Sequence, residues 1–279
     1  MDADAVLWAE LHERGITDLD ALSDDEVVEL ALRYAVWIPV DTYVRAPWLA
    51  PYAVRKIRIR TDDRAPGEKR DLWGMPDEAG YFTDDNSLIK AVFKNRAVRP
   101  ASSPYESGRF RKGMVCCHVW AGTTTDPLLF SFVPNLVWMP RSLAPYSDNH
   151  HSGAPHLVHD TLKWVAADRY RSAMPEVAAD RVIAAWNRLA PVTGTVPVHE
   201  QLEFDITDQI VKLVDKRLTK LTGFLSTVLA DDGARPKRFS RRYHAATGRG
   251  IDPTTPPIDH IVTSDALIEL LDEMERCQR

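Results

Sequence analysis

The sequence predicts an α+β fold in which two short strands and a helix lie between largely helical N- and C-terminal segments. Two short apolar, β-prone runs at residues 114–120 and 135–139 predict the strands. Apolar side chains recur at helical spacing over residues 5–37 and 206–229, and prolines and glycines separate these segments. Of the 279 residues, 44% are hydrophobic, which is enough for a sizeable core.

We divide the chain into three predicted regions. Residues 1–112 form a helical region followed by a basic strand and loops, residues 113–190 form the core with its following helices, and residues 191–279 form a C-terminal helical module with a basic loop. Two helices are expected between residues 5 and 37, the second beginning with a capping box formed by Ser23 and Glu26.

Strand and helix signals continue along the chain. Tyr52 to Arg60 alternates apolar and basic residues, which predicts a strand with one basic face, and a short helix is expected after Ser87. Helices are predicted over 156–171, 177–189, 206–229 and 264–277, with a linker at 191–198. The apolar stripe of the 206–229 helix either closes the core of the chain or pairs with a second chain, so a homodimer is one expectation.

The charge distribution predicts a polyanionic partner, DNA, although the formal net charge is −5. Residues 45–112 carry fifteen Lys and Arg against nine Asp and Glu, and residues 235–249 carry no acidic residue. The alternative is that these basic residues only lie in solvent-exposed loops and bind no partner. The candidate DNA contacts are Arg55, Lys56, Arg58, Arg60, Arg109, Arg111, Lys112, Arg238, Arg241 and Arg242.

The sequence also indicates the cellular compartment of the protein. The apolar runs fall short of the roughly 18 to 20 residues that a membrane-spanning helix needs, and the acidic N-terminus does not have the pattern of a signal peptide. Three cysteines, of which Cys116 and Cys117 are adjacent, do not make a disulfide framework. We therefore expect a cytoplasmic protein that does not bind membranes.

The central region carries residues suited to phosphodiester hydrolysis. That reaction needs a base for water and a cation near the phosphate. A neutral imidazole suits the first task, and oxygen ligands that hold Mg²⁺ suit the second. His118 and Asn135, seventeen positions apart, supply one group of each kind.

These residues resemble the core of the HNH nuclease family. The resemblance lies in the run Cys117 to Val119, the run Pro134 to Val137, and Pro140. It implies a ββα-metal nuclease core in which His118 is the general base and Asn135 fixes the loop or binds the metal. The third catalytic residue, expected on the following helix, is assigned to His150 or His151.

One departure from the family pattern concerns the metal. Many family members have an acidic ligand before the base, whereas this chain has Cys117, a soft ligand for Mg²⁺. Asp126 or Asp148 would then supply oxygen, with Mg²⁺ or Mn²⁺ as the expected cation and Zn²⁺ as a lesser alternative. His156 and His159 either join a metal site or form a solvated helix face.

The resemblance implies a metal-dependent DNA endonuclease of a restriction or phage-defence system. The alternatives are a DNA-binding protein with an inactive nuclease-like core, and a zinc hydrolase that uses the histidines of residues 150–159.

Overall fold

The computed structural model describes twelve segments of the chain. They are residues 1–51, 53–55, 82–84, 96–100, 102–105, 112–126, 128–147, 153–173, 180–192, 200–205, 207–230 and 271–272. The fold of these residues is α+β, as the sequence predicts.

Of the helices in the described residues, all but the short one at Val40–Arg45, which was not predicted, follow the predicted apolar patterns. The helices are α1 (Ala3–Glu13), α2 (Asp24–Tyr34), α3 (Val40–Arg45), α4 (Gly153–Arg171), α5 (Asp180–Arg188) and α6 (Thr207–Ala230). The predicted capping box is confirmed, because the Ser23 hydroxyl accepts from the Glu26 amide and the Glu26 carboxylate accepts from the Ser23 amide. Of the described helices, none has the length and apolar character needed to cross a membrane.

A five-stranded mixed sheet brings the three predicted regions together. Its strands are β1 (Val36–Trp37), β4 (Val98–Arg99), β5 (Met114–His118), β6 (Leu136–Pro140) and β7 (Leu202–Phe204). The order is β4-β7-β1-β6-β5, with β1 and β7 parallel and the other neighbours antiparallel. Strands β2 (Ala53–Arg55) and β3 (Phe82–Asp84) form a separate parallel pair.

The expected two-stranded sheet at the centre of the chain is therefore part of a larger sheet. All five residues of β6 are buried. A strand that is apolar at every position needs cover on both faces and pairing on both edges, and β1 and β5 supply the pairing.

Helix α4 packs across this sheet. The Tyr170 ring lies 6.4 Å from the Trp37 ring, and its hydroxyl donates to the Ile38 carbonyl over 2.6 Å. Arg169, next to Tyr170, forms an ion pair with Glu203 of β7. The helix also contacts the turn Val133–Asn135, which leads into β6.

Helix α1 docks on the base of the β5–β6 hairpin. The Ala3 amide donates to the Lys112 carbonyl over 3.1 Å, immediately before β5. Immediately after β6, the Ser142 amide donates to the Asp4 carboxylate over 2.8 Å, and the Trp8 indole donates to the Ser142 hydroxyl. The N-terminal helix therefore holds both ends of the hairpin base.

Helix α6 carries the apolar stripe from which a dimer was predicted. The first half of its apolar stripe, including Ile210, Val214 and Leu218, is buried within one chain, and the helix packs against α3. This half of the stripe is therefore part of the core of the chain, and the dimer stays a prediction.

Several predicted elements fall outside the described residues. They are residues 56–60 of the basic strand, the short helix after Ser87, most of the linker at 191–198, and all but two residues of the 264–277 helix.

Candidate functional site

The hairpin places His118 at the end of a strand. His118 pairs with Leu136 in the last register position of β5 and β6, and the Val119 amide donates to the Asn135 carbonyl over 2.9 Å. The intervening loop, residues 119–135, therefore leaves and re-enters the sheet directly beside the imidazole.

The loop holds the His118 ring in one orientation. Its Nε2 lies 2.9 Å from the Phe130 carbonyl oxygen, and the two rings stack with centroids 5.9 Å apart at an angle of 22°. A carbonyl only accepts, so Nε2 carries the hydrogen, and in the neutral ring Nδ1 carries the lone pair. The imidazole is half-buried.

Asn135 fastens the loop from inside. Its side chain is fully buried, and its Oδ1 accepts from the Trp120 amide over 2.8 Å. Its Nδ2 donates to the Thr123 hydroxyl and to the Leu129 carbonyl, both over 2.8 Å. Of the two roles that the resemblance implies for Asn135, these contacts favour fixing the loop over binding a metal.

Asp126, a predicted metal ligand, is engaged in the same loop. One carboxylate oxygen accepts from the Leu128 amide over 2.8 Å, and the other forms an ion pair with Arg188 of α5 at 2.8 Å. In this arrangement the carboxylate stabilises a turn and ties the loop to α5. A cation at Asp126 would have to compete with the Arg188 guanidinium.

The strand register separates the two neighbours Cys117 and His118. Trp138 pairs with both Val36 and Cys116, so the residues next to those two, Trp37 and Cys117, share the opposite face of the sheet. Helix α4 covers that face through its contact with Trp37. By strand alternation, the histidine that follows Cys117 points away from α4.

Cys117 itself is in an apolar setting. Its side chain is buried, and its sulfur lies 3.8 Å from the Val115 carbonyl oxygen. The position at which the resemblance implies an acidic metal ligand is therefore occupied by a packed thiol.

Helix α4 carries a second polar cluster. Asp160 lies between His156, His159 and Lys163, at 3.5, 3.8 and 3.0 Å respectively. Burial acts to raise the pKa of Asp160, but its hydrogen bond and ion pair with Lys163 and the nearby histidines lower that pKa overall. His156 is half-exposed, as a solvated helix face would be, whereas His159 is buried.

Two other predicted site residues lie in the described part of the chain. Arg55 lies in β2, and the exposed Lys112 forms an ion pair with Asp2 at 3.3 Å. Outside the described residues lie Asp148, His150, His151, Lys56, Arg58, Arg60, Arg109, Arg111, Arg238, Arg241 and Arg242. Within the described ranges, no three His, Cys, Asp or Glu side chains form a group that could hold a metal.

The structure also brings to this loop two arginines that the sequence analysis did not name. Arg188 contacts Asp126, and the guanidinium of Arg181 lies 4.7 Å from the centre of the Trp48 ring. Such pairs are far apart in the chain, so no local spacing predicts them.

The arrangement can position an imidazole for proton transfer beside a braced loop. Comparisons with protein-family models, with curated proteins and with solved structures found no significant match.

Proposed function

We propose that this chain is a DNA endonuclease in which His118 is the general base that activates water. The observation that carries the proposal is the hydrogen bond between His118 Nε2 and the Phe130 carbonyl. In the neutral imidazole this contact leaves the lone pair on Nδ1, and it orients the ring; a positioned base needs both. A restriction or phage-defence role is the context implied by the HNH resemblance.

The loop anchor supports this role. A base contributes to catalysis only when its nitrogen is held within hydrogen-bond reach of the water that it deprotonates. The Phe130 carbonyl belongs to the loop that Asn135 fastens at Trp120, Thr123 and Leu129. Asn135 is thus a positioning residue that acts on the imidazole through the loop.

Mg²⁺ or Mn²⁺ remains the cation that the resemblance implies. The described residues do not fit such an ion as they stand, because the Asn135 amide is bonded to the loop and Asp126 is paired with Arg188. We therefore assign no step of the reaction to the metal.

Cleavage of plasmid DNA tests the proposal. We expect the purified protein to nick or linearise plasmid in Mg²⁺ or Mn²⁺, and a His118→Gln variant to lose at least about 100-fold in rate. Glutamine keeps an N–H donor for the Phe130 carbonyl but has no basic nitrogen, so the loop is disturbed little. His12→Ala, which removes an exposed histidine from α1, is the matched control.

Full cleavage by His118→Gln would defeat the assignment of the base. Loss of cleavage in both variants would point instead to a general effect on folding, which thermal unfolding of each variant detects.

A second candidate is a DNA-binding protein with an inactive nuclease-like core. The buried thiol of Cys117, at the position where an acid is expected, favours it. This candidate predicts tight, strongly salt-dependent DNA binding without cleavage in any divalent cation.

A further inference from the structure

A closed ring of hydrogen bonds fastens the loop that follows β5. The Trp120 amide donates to Asn135 Oδ1 over 2.8 Å, and Asn135 Nδ2 donates to the Thr123 hydroxyl over 2.8 Å. The Thr123 hydroxyl donates in turn to the Trp120 carbonyl over 2.6 Å. All three side chains are buried. The ring therefore closes on the residue at which it begins, out of contact with water.

The backbone fixes the donor and acceptor roles in this ring. A backbone N–H only donates and a carbonyl only accepts, so the bonds to the Trp120 amide and the Leu129 carbonyl fix the orientation of the Asn135 amide. Because Asn135 Nδ2 donates to Thr123, the hydroxyl oxygen accepts there and its single hydrogen goes to the Trp120 carbonyl. The ring thus requires one side chain at Thr123 that both donates and accepts.

The local backbone aims this hydroxyl. Gly122 has a φ of +73°, in the left-handed region, and Thr123 then begins a short 3-10 turn. The Asp126 amide donates to the Thr123 carbonyl over 3.2 Å and closes the turn. Branching at Cβ leaves the Thr123 side chain few rotamers, so its hydroxyl is held where the ring needs it.

The ring is linked to the imidazole of His118 through two consecutive loop residues. Asn135 Nδ2 also donates to the Leu129 carbonyl over 2.8 Å. The next residue, Phe130, supplies the carbonyl that lies 2.9 Å from His118 Nε2 and the ring that stacks on the imidazole. Without the Thr123 hydroxyl, the Asn135 amide would be held at fewer points, and the backbone that contacts the imidazole would be held less firmly.

We propose that Thr123 is a positioning residue for His118, because its hydroxyl closes the ring that holds the Phe130 carbonyl on the imidazole. This inference rests on the proposed function, since it concerns the orientation of the proposed base. Buried amides and carbonyls that lose a partner shift to find another. A catalytic group displaced by about 1 Å loses up to roughly 100-fold in rate, so a small shift of the loop would matter.

Thr123→Val tests the inference in full-length protein with EDTA and without DNA. Valine keeps the shape of threonine and removes its hydroxyl. The readout is the exchange of the His118 Nε2–H proton with water, measured by NMR and assigned by its absence in His118→Gln. We expect exchange to be at least about tenfold faster in Thr123→Val and near the parental rate in Thr123→Ser, which restores the hydroxyl.

Two control variants make the result specific. Thr42→Val, on α3, removes a buried hydroxyl that has no hydrogen-bond partner within the described part of the chain, and it should leave the exchange unchanged. Val27→Ala removes a buried apolar side chain from α2 and lowers the free energy of unfolding. Because this variant leaves the ring intact, the Nε2–H proton should still exchange near its parental rate.

DNA cleavage gives a second readout. Misalignment of the base lowers the rate of the chemical step without removing contacts to DNA. We expect Thr123→Val to lower kcat by about tenfold or more, with KM within about twofold of the parental value. Thr123→Ser should recover kcat.

Parental exchange of the Nε2–H proton in Thr123→Val would overturn this inference, even if DNA cleavage were lost. Equal acceleration in Val27→Ala would overturn it as well, because the effect would then follow global stability. A parental proton that exchanges too fast to be observed would have the same consequence, since the Phe130 carbonyl would not be holding the ring.

If Thr123→Val does not fold, Thr123→Cys takes its place, because a thiol is a weak donor and acceptor in the same position. Its Nε2–H exchange should lie between the parental rate and that of an unrestrained imidazole, and a parental rate would overturn the inference. If the exchange results hold but the parent protein cleaves no DNA in any divalent cation, Thr123 still orients His118 and the nuclease proposal falls.

Discussion

The two ends of the β5–β6 hairpin are held in different ways. At the base, helix α1 presses its first turn against the backbone of Gly113, and the contacts join main-chain atoms and the side chains of one helix. At the loop end, one buried amide, Asn135, bonds to three points of the loop, and an ion pair ties Asp126 to α5.

The base of the hairpin is therefore a rigid structural contact, whereas the loop end can adapt. Close backbone packing at the base leaves no room for a side chain, so its role is in folding. At the loop end, the ion pair of Asp126 with the exposed Arg188 can be exchanged for others of similar energy, and the loop lies beside the half-buried imidazole of His118. A site that must admit a substrate is better placed at the loop end than at the base.

The largest expected effect is at the base. In Gly113→Ala, the new methyl group would lie 2.0 Å from the Asp2 carboxylate and 2.7 Å from the Asp4 amide nitrogen, at a φ of +85°. We expect a loss of about 3 kcal/mol in the free energy of unfolding, measured by urea denaturation, because backbone must move to relieve the overlap.

Gly122→Ala is the matched control for this prediction. Gly122 also has a positive φ, +73°, but a methyl group there would meet no atom within 4 Å. Its cost should be only the conformational one, about 1 kcal/mol. Equal costs at the two glycines would show that α1 does not press on the hairpin base.

The next effect is at the loop end. Asn135→Ala removes three hydrogen bonds and leaves the loop groups at Trp120, Thr123 and Leu129 without this partner. We expect a loss of about 2 kcal/mol in the free energy of unfolding and faster proteolysis within residues 119–135. DNA cleavage should fall as well, because the Phe130 carbonyl would no longer hold the imidazole.

Asn187→Ala, an exposed asparagine on α5, should change stability by less than about 0.5 kcal/mol. If Asn135→Ala were as mild as this control, the loop would have to be held by other contacts.

The sequence predicted the local elements of this comparison well. The capping box at Ser23, the apolar stripes of the helices and the two runs that form β5 and β6 are all local patterns, and each is seen in the structure. Local patterns suffice where one element determines its own periodicity.

The sequence could not predict what joins these elements. Strand β1 is two residues long, too short for any alternation, yet it sits at the centre of the sheet. The docking of α1 on Gly113 and the pairing of Arg188 with Asp126 join residues more than sixty positions apart. Such contacts depend on tertiary packing, which a single sequence does not display.

The smallest expected effect concerns the charge at the base. Asp2 caps α1 and pairs with Lys112, and although burial acts to raise its pKa, the Lys112 ammonium and the Asp4 amide lower that pKa overall. A carboxyl whose pKa is lowered on folding stabilises the protein above its unfolded pKa of about 3.8, and the contribution disappears as the pH falls through the lower folded value.

Asp2→Asn isolates this charge, because asparagine also accepts the capping hydrogen bond. We expect a loss of a few tenths of a kcal/mol at pH 7, measured by thermal unfolding, that shrinks towards zero below about pH 3. Lys112→Gln should cost about the same at pH 7, and the two changes together should cost less than their sum, since they remove one ion pair. If the Asp2→Asn effect persists undiminished at low pH, the asparagine disturbs the contact between α1 and the hairpin base by its shape, and the loss of the Asp2 charge is not the cause.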